Sequence, residues 1–171
     1  MVNIRDSIRD IPDFPKEGIL FRDITPALLS PEVFNEINDI IYRRYSDSDI
    51  DKVAAIESRG FIFGSVLASK LNSGLIPVRK EGKLPFDTFS ESYALEYSEA
   101  TLEIHTDAID EGDRIVIIDD LLATGGTAAA TCKLVEKLGG EIEELCFMIE
   151  LSNLRGREAL EGRGIFSLIT Y

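Results

Sequence analysis

Cysteine is scarce in this sequence. Among 171 residues only Cys132 and Cys146 carry a thiol, in a spacing that matches no zinc-binding pattern. That excludes a disulfide framework or a structural zinc site as the source of stability. Long apolar runs are missing as well. No stretch approaches the ~20 residues that a bilayer-spanning helix needs. The opening Met1-Val2-Asn3-Ile4-Arg5-Asp6 lacks the apolar region of a signal peptide. These absences lead us to expect a cytoplasmic protein with no membrane partner. Basic charge is in deficit, with 18 Lys and Arg against 31 Asp and Glu, for a net charge of -13 and a pI of about 4.5. Binding to a nucleic-acid backbone depends on neutralising phosphates with basic side chains, so a nucleic-acid partner is not expected. Any phosphorylated ligand must instead be held by backbone amides, a few placed cations or a metal ion. Repeats, low-complexity tracts and flexible linkers do not occur either.

What remains is an ordinary globular composition, 44% hydrophobic and 29% charged. The length is that of one domain, able to bury about 70% of its unfolded surface. Five short apolar runs read as strands buried on both faces: Val53–Ile56, Leu75–Val78, Ile115–Ile118, Leu145–Ile149 and Phe166–Ile169. Continuous Val, Ile and Leu without alternation suits a parallel sheet. Helical patterns lie between them. Residues 32–45 place Val33, Ile37, Ile40, Ile41 and Arg44 on one stripe after a Ser30-Pro31 start. Residues 61–71 carry Ile62, Val66 and Leu67, and residues 127–138 carry Ala128, Cys132, Val135 and Leu138 before the Gly139-Gly140 stop. Strand and helix alternating in this way predict an α/β fold, a mainly parallel sheet flanked by helices.

Two stretches break the rhythm. Residues 79–101 are polar at first and then alternate weakly through Phe86, Phe89, Tyr93, Leu95 and Tyr97, and they read as a mobile hairpin or lid. Residues 1–27, with Pro12, Pro15, Gly18 and Pro26, read as irregular surface structure. A single domain over 1–171 is the expectation.

The chemistry concentrates in Arg114-Ile115-Val116-Ile117-Ile118-Asp119-Asp120-Leu121-Leu122-Ala123-Thr124-Gly125-Gly126-Thr127. A buried strand ends in two carboxylates, followed by a glycine turn and a helix. Open α/β sheets bind ligands outside the carboxyl ends of their strands. Glycines let several N–H groups turn towards one point, and the following helix adds its positive end, so such a turn suits a phosphate monoester. Asp119 and Asp120 are placed to accept bonds from sugar hydroxyls or to hold a magnesium ion. The plainer reading is a helix cap beside a solvent-facing acidic pair, but two glycines between Thr124 and Thr127 exceed what a cap requires. The segment is neither a Walker loop nor a dinucleotide fingerprint.

It resembles the phosphoribosyl-diphosphate (PRPP) signature of type I phosphoribosyltransferases: four apolar residues, two acids, then Ala-Thr-Gly-Gly-Thr. Three further segments narrow the resemblance to the adenine phosphoribosyltransferase family. Phe14–Pro26 is similar to that family's N-terminal base-binding segment, and Glu57–Gly64 to its diphosphate loop. Val78-Arg79-Lys80, Gly82–Pro85 and Ser92–Tyr97 resemble its flexible loop. The resemblance covers nearly the whole chain, from Ile11 to Tyr171.

It implies the type I fold, with a hood over 1–27 and a flexible loop over 79–101. It also implies a purine-salvage reaction in which adenine and PRPP give AMP and diphosphate, with magnesium as cofactor. By that resemblance Ala123, Thr124, Gly125, Gly126 and Thr127 hold the 5′-phosphate, and Asp119 and Asp120 contact the ribose hydroxyls. Ser58 and Arg59 hold the diphosphate, joined by Arg79, Lys80 and Lys83 from the loop. Phe21 stacks on the purine while main-chain groups of Leu20 and Arg22 read its edge, and Glu96 serves as acid/base. Magnesium is carried by PRPP, near Asp119 and Asp120, without a direct protein cage. The family pattern is a homodimer in which the residue matching Arg79 reaches the partner's site. Phe86-Asp87 and Ser98 depart from that pattern, so the loop's closed geometry is the least transferable part.

Each residue also has a plainer reading. Phe21 is a core aromatic by default, Glu96 is one of 31 acids, and Arg79, Lys80 and Lys83 suit a solvated loop. Arg59 stands better alone, because a strand-to-helix turn is an anion site in any fold. His105, the only histidine, falls in a strand without a nearby nucleophile and is read as structural. Cys132 and Cys146 are read as small packing residues. Two other functions remain open at this point: a PRPP- or AMP-sensing regulator that lost turnover, and a transferase acting on xanthine or orotate. A regulator would carry a basic DNA-binding module, and Leu20-Phe21-Arg22-Asp23 argues against the other bases.

Overall fold

In a computed structural model, residues 3–94 and 99–171 are described, and the chain forms two compact units, Met1–Asp47 and Ser48–Tyr171. The first unit runs from a 3₁₀ turn (Ile4–Ser7) through strands β1 (Arg9–Pro12) and β2 (Leu20–Asp23) to helices α1 (Thr25–Leu29) and α2 (Pro31–Tyr45). Residues 1–27 are therefore more regular than the sequence suggested. β1 and β2 pair antiparallel from Arg9↔Asp23 to Pro12↔Leu20. Their connection is closed by the Gly18 N–H, which donates to the Asp13 carboxylate at 2.7 Å, with Gly18 at a φ of +82°. Strands of four residues are too short to show alternation. A terminal proline such as Pro12 is tolerated because an edge strand need not donate there.

α2 starts where Ser30 and Pro31 indicated. The Ser30 hydroxyl accepts the Val33 N–H at 3.4 Å, Pro31 takes the first turn, and Arg43 and Arg44 complement the negative end. Its buried stripe is Val33, Ile37, Asn38, Ile41 and Tyr45. Arg44 is exposed and Ile40 only half-buried, so the expected stripe is rotated by part of a turn. Tyr45, one residue further on, takes the place assigned to Arg44.

The second unit is built on β3 (Lys52–Ile56), α3 (Gly60–Leu71), β4 (Gly74–Lys80), β5 (Thr88–Ala94), β6 (Glu99–His105), β7 (Arg114–Leu122), α4 (Gly126–Lys137), β8 (Glu141–Glu150) and β9 (Ile165–Thr170). These strands form one sheet in the order β5-β6-β4-β3-β7-β8-β9. The pairs from β4 to β9 are parallel, while β6 runs antiparallel to both β4 and β5. All five strands read from the sequence are present. Ala54, Ile56, Ile117, Leu145 and Phe147 are at most 1% exposed in one continuous core. Each large buried aliphatic or aromatic side chain of this kind contributes roughly 1.5–3 kcal/mol.

Residues 79–94 and 99–101 are less irregular than expected. Arg79 and Lys80 complete β4, and β5 pairs with β6 from Thr88↔His105 to Ala94↔Glu99. Phe89 and Tyr93, four residues apart on one face of β5, pack against the core, which is why this polar segment becomes a strand. His105 ends β6, edge-on to Phe86 with ring centroids 6.0 Å apart. Leu95 and Tyr97 lie outside the described residues.

α3 sits very close to the sheet. A Cβ on Gly64 would fall 2.6 Å from the Ala55 Cβ and 2.9 Å from the Ile118 Cγ2, and one on Gly60 would fall 2.7 Å from the Ile118 carbonyl oxygen. Small residues on both sides, Gly60 and Gly64 on the helix and Ala55 on β3, permit the approach. Gly64→Val should therefore overpack this contact and cost about 1–3 kcal/mol. Urea unfolding should show a lower midpoint at an unchanged slope, and an unchanged midpoint would contradict the packing.

Candidate active site

The carboxyl ends of β3 and β7 lie side by side, each feeding a helix. β3 runs through Glu57-Ser58-Arg59 into α3, and β7 runs through Ala123-Thr124-Gly125 into α4. Outside such strand ends an open α/β sheet leaves a crevice. Here it is a cavity of about 460 Å³, bordered by Ser58, Arg59, Lys80, Asp119, Asp120, Ala123 and Thr127. A second hollow of about 70 Å³ adjoins it, lined by the whole turn from Ala123 to Thr127.

The glycine turn is shaped by Gly125, which caps α4 at a φ of +84°, a conformation that side chains disfavour. Gly125 has no side chain with which to cap this helix end, and the first turn of α4 lines the small hollow. A Cβ on Gly125 would fall 2.4 Å from the Gly156 carbonyl oxygen, and one on Gly156 would fall 2.3 Å from the Ala123 carbonyl oxygen. The 3₁₀ turn Gly156–Leu160 thus braces the phosphate-type turn from behind, backbone against backbone.

Arg59 crosses from one loop to the other. Its Nε donates to Asp120 Oδ2 at 2.5 Å, and the Asp120 side chain is only 8% exposed. The Asp120 N–H donates to Asp119 Oδ1 at 2.8 Å. Burial first, then the charge of Asp120, pushes the Asp119 carboxyl well above its usual range. The Thr127 hydroxyl donates to the Tyr93 hydroxyl at 3.2 Å, tying β5 to the start of α4.

Arg79 and Lys83 stand one step from the cavity, on Glu57. Arg79 Nε lies 3.3 Å from Glu57 Oε2, Lys83 Nζ lies 3.1 Å from Oε1, and the Lys80 N–H donates to Oε2 at 2.9 Å. Burial would raise the Glu57 carboxyl, but the Lys80 amide, Lys83 and Arg79 outweigh it and hold the group below the usual range.

Of the residues proposed from sequence, Ser58, Arg59, Lys80, Asp119, Asp120 and Ala123–Thr127 come together around the two hollows. Leu20, Phe21 and Arg22 belong to β2 in the first unit. There Phe21 is half-buried with Phe14 edge-on at 5.1 Å, and Arg22 pairs with Asp10. Leu20 and Arg22, two positions apart, present their main-chain groups to the same side of that strand. Glu96 lies outside the described residues. Three residues were given no individual role from the sequence: Glu57, Tyr93 and Gly156. Glu57 carried one usable signal, an acid directly after a buried strand and next to two polar loop residues. Gly156 carried none, since its contact joins segments far apart in the chain.

The donor chemistry suits a hard cation. Asp119 and Asp120 offer carboxylate oxygens at the cavity wall, with one Asp120 oxygen taken by Arg59. Among the described residues, no group of three or more His, Cys, Asp or Glu gathers to form a cage. Nor is any described helix long and apolar enough to cross a membrane.

A mainly parallel sheet with an acidic strand end, a glycine turn and an anion loop opposite defines a type I phosphoribosyltransferase, and residues 27–161 match the phosphoribosyl transferase domain. The protein from Thermosipho melanesiensis named adenine phosphoribosyltransferase is 53% identical over 170 residues, covering 99% of this chain and 97% of that one. The crystal structure of adenine phosphoribosyltransferase from Thermoanaerobacter pseudethanolicus superposes with a TM-score of 0.95 at 51% identity, covering 98% of each chain. That of the Saccharomyces cerevisiae enzyme, complexed with adenine and an imino-altritol bisphosphate, gives 0.91 at 40% identity, covering 96% of each. The chain belongs to the adenine phosphoribosyltransferase family.

The bracing contact makes a specific demand. Gly156→Ala adds a methyl group where the Ala123 carbonyl oxygen already lies, so the turn must shift. A shift near 1 Å in a binding element costs on the order of 10²-fold in activity. Steady-state kinetics should show a KM for PRPP raised at least about tenfold in a variant that still unfolds cooperatively. Unaltered kinetics would show that the turn does not depend on this brace.

Proposed function

We propose that the chain transfers the phosphoribosyl group from PRPP to adenine, giving AMP and diphosphate. The observation that carries this reading is the Asp119–Thr127 segment at the end of β7, facing Ser58 and Arg59 across the cavity. In this reading the N–H groups of Ala123–Thr127, with the Thr124 and Thr127 hydroxyls, hold the 5′-phosphate. Little lysine is needed, because the turn and helix end supply the positive potential. Ser58 and Arg59 hold the diphosphate, with Lys80, Lys83 and Arg79 closing over it. Asp119 and Asp120 accept from the ribose hydroxyls. As the bond between C1 of the ribose and the diphosphate oxygen lengthens, their charge stabilises the positive ring that develops. Arg59 holds Asp120 oriented for that role.

Phe21 stacks on the purine ring and main-chain groups of Leu20 and Arg22 read its edge. N9 of adenine forms the new bond to C1 of the ribose as diphosphate departs with the bonding pair. Glu96 exchanges the proton that adenine must lose. Asp119 and Asp120 would meet a magnesium ion bound with PRPP, which would supply neutralisation of the diphosphate charge. The assignment extends to a cytoplasmic homodimer in which Arg79 serves the partner's site. Cys132 and Cys146, both buried and neither in a disulfide, suit a reducing compartment. The net charge of -13 speaks against a nucleic-acid partner.

The base can be tested by competition among adenine, hypoxanthine, guanine and xanthine with PRPP. Adenine offers a donor at its amine and an acceptor at N1, whereas hypoxanthine reverses both. Main-chain groups cannot exchange donor for acceptor, and each mismatched buried group costs about 1–3 kcal/mol. Adenine should therefore be preferred by roughly 10²–10⁴-fold in kcat/KM. Comparable rates for hypoxanthine would overturn the base assignment. Removing the metal tests the charge balance separately. Two like charges ~4 Å apart repel by roughly 4 kcal/mol at an effective dielectric near 20. Excess chelator should accordingly abolish turnover, with magnesium restoring it, and full activity in chelator would refute the requirement.

A further inference from the structure

Glu57 has no part in the reaction as described, yet it is among the most completely engaged acids of the second unit. Its side chain is 7% exposed, while those of Arg79 and Lys83 are 34% and 49% exposed. Two solvent-facing cations therefore reach inward to one buried carboxylate, which also takes the Lys80 N–H. A carboxylate this buried is costly unless it is paired. Arg79 is held further by donating from a terminal guanidinium nitrogen to the Lys83 carbonyl oxygen at 3.0 Å. The loop between β4 and β5 is thus anchored at Glu57, directly before Ser58 and Arg59. Glu57 also borders the same cavity.

The cations on Glu57 are those that the phosphoribosyl-transfer reading assigns to the diphosphate. Lys83 carries a compact point charge, and facing the diphosphate would draw it off the carboxylate. We propose that Glu57 is a positioning residue that holds Lys83 at the rim of the cavity and surrenders it to the diphosphate. It thereby competes with that group for the same cation. This rests on the phosphoribosyl-transfer reading. After the exchange the Lys80 amide still serves the Glu57 carboxylate, so Glu57 does not lose every partner at once. The competition weakens the grip on diphosphate and so favours its release as product.

Calorimetric titration with magnesium diphosphate, in the absence of base, tests this on the full chain. Glu57→Gln keeps an acceptor for the Lys80 N–H but removes the charge, so diphosphate should bind about three- to tenfold more tightly, the scale of partly screened ion pairs. Lys83→Ala should weaken binding, and in that background the gain from Glu57→Gln should shrink by at least about half. A purely structural role for Glu57 would instead weaken binding in every background. Unchanged or weaker binding by folded Glu57→Gln, with Lys83→Ala still weakening it, overturns this inference alone. Unchanged binding by Lys83→Ala removes the loop cations from the diphosphate and overturns the reading beneath it as well. Should Glu57→Gln fail to fold, Glu57→Asp retracts the carboxylate by one methylene from Lys83. It should then tighten binding by about twofold, and no tightening would refute the competition.

Discussion

Backbone lies directly against backbone around the end of β7, and the geometry of both anion loops depends on that contact. At Gly60 and Gly64 a missing side chain lets α3 settle on Ile118 and Ala55, which fixes Arg59 within reach of Asp120. At Gly125 and Gly156 two more missing side chains let a C-terminal turn support the segment that begins α4. A carbonyl or N–H placed by such contacts has no rotamer to lose, so its dipole is preorganised when an anion arrives. Widening either contact by a methyl group moves a main-chain donor rather than a replaceable side chain.

That constraint also explains how so acidic a protein handles phosphates. A net charge of -13 gives the molecule a field that repels anions at long range. Attraction must therefore be local, and three of the cations at or beside the cavity are committed to a carboxylate: Arg59 to Asp120, Arg79 and Lys83 to Glu57. These pairs keep the site close to neutral until a ligand enters. The cations on Glu57, with the Lys80 amide, hold that carboxyl below its usual range despite burial, whereas burial and the charge of Asp120 push Asp119 above its own. Such acid–cation pairing makes the site responsive, since an incoming anion redistributes existing partners instead of meeting bare charge.

Local pattern by itself determined a good deal of this protein. The runs at Val53, Leu75, Ile115, Leu145 and Phe166 gave the parallel strands, because a strand covered on both faces must be apolar throughout. Asp119-Asp120 with Ala123–Thr127 marked the turn that lines the cavity, since two carboxylates and two glycines at a strand-to-helix junction exceed what a helix cap requires. Tertiary structure decided what no window of neighbouring residues can contain. The regular strands in 79–101 came from Phe89 and Tyr93 meeting the core, and the buried face of α2 came from Asn38 and Tyr45 rather than Arg44. The brace at Gly156, the Tyr93–Thr127 bond and the cations on Glu57 each join segments more than 20 residues apart. A sequence fixes which groups are present and how they repeat. Which distant groups come within bonding distance is set by packing, because contact energies fall away within a few ångströms and depend on the path of the whole chain.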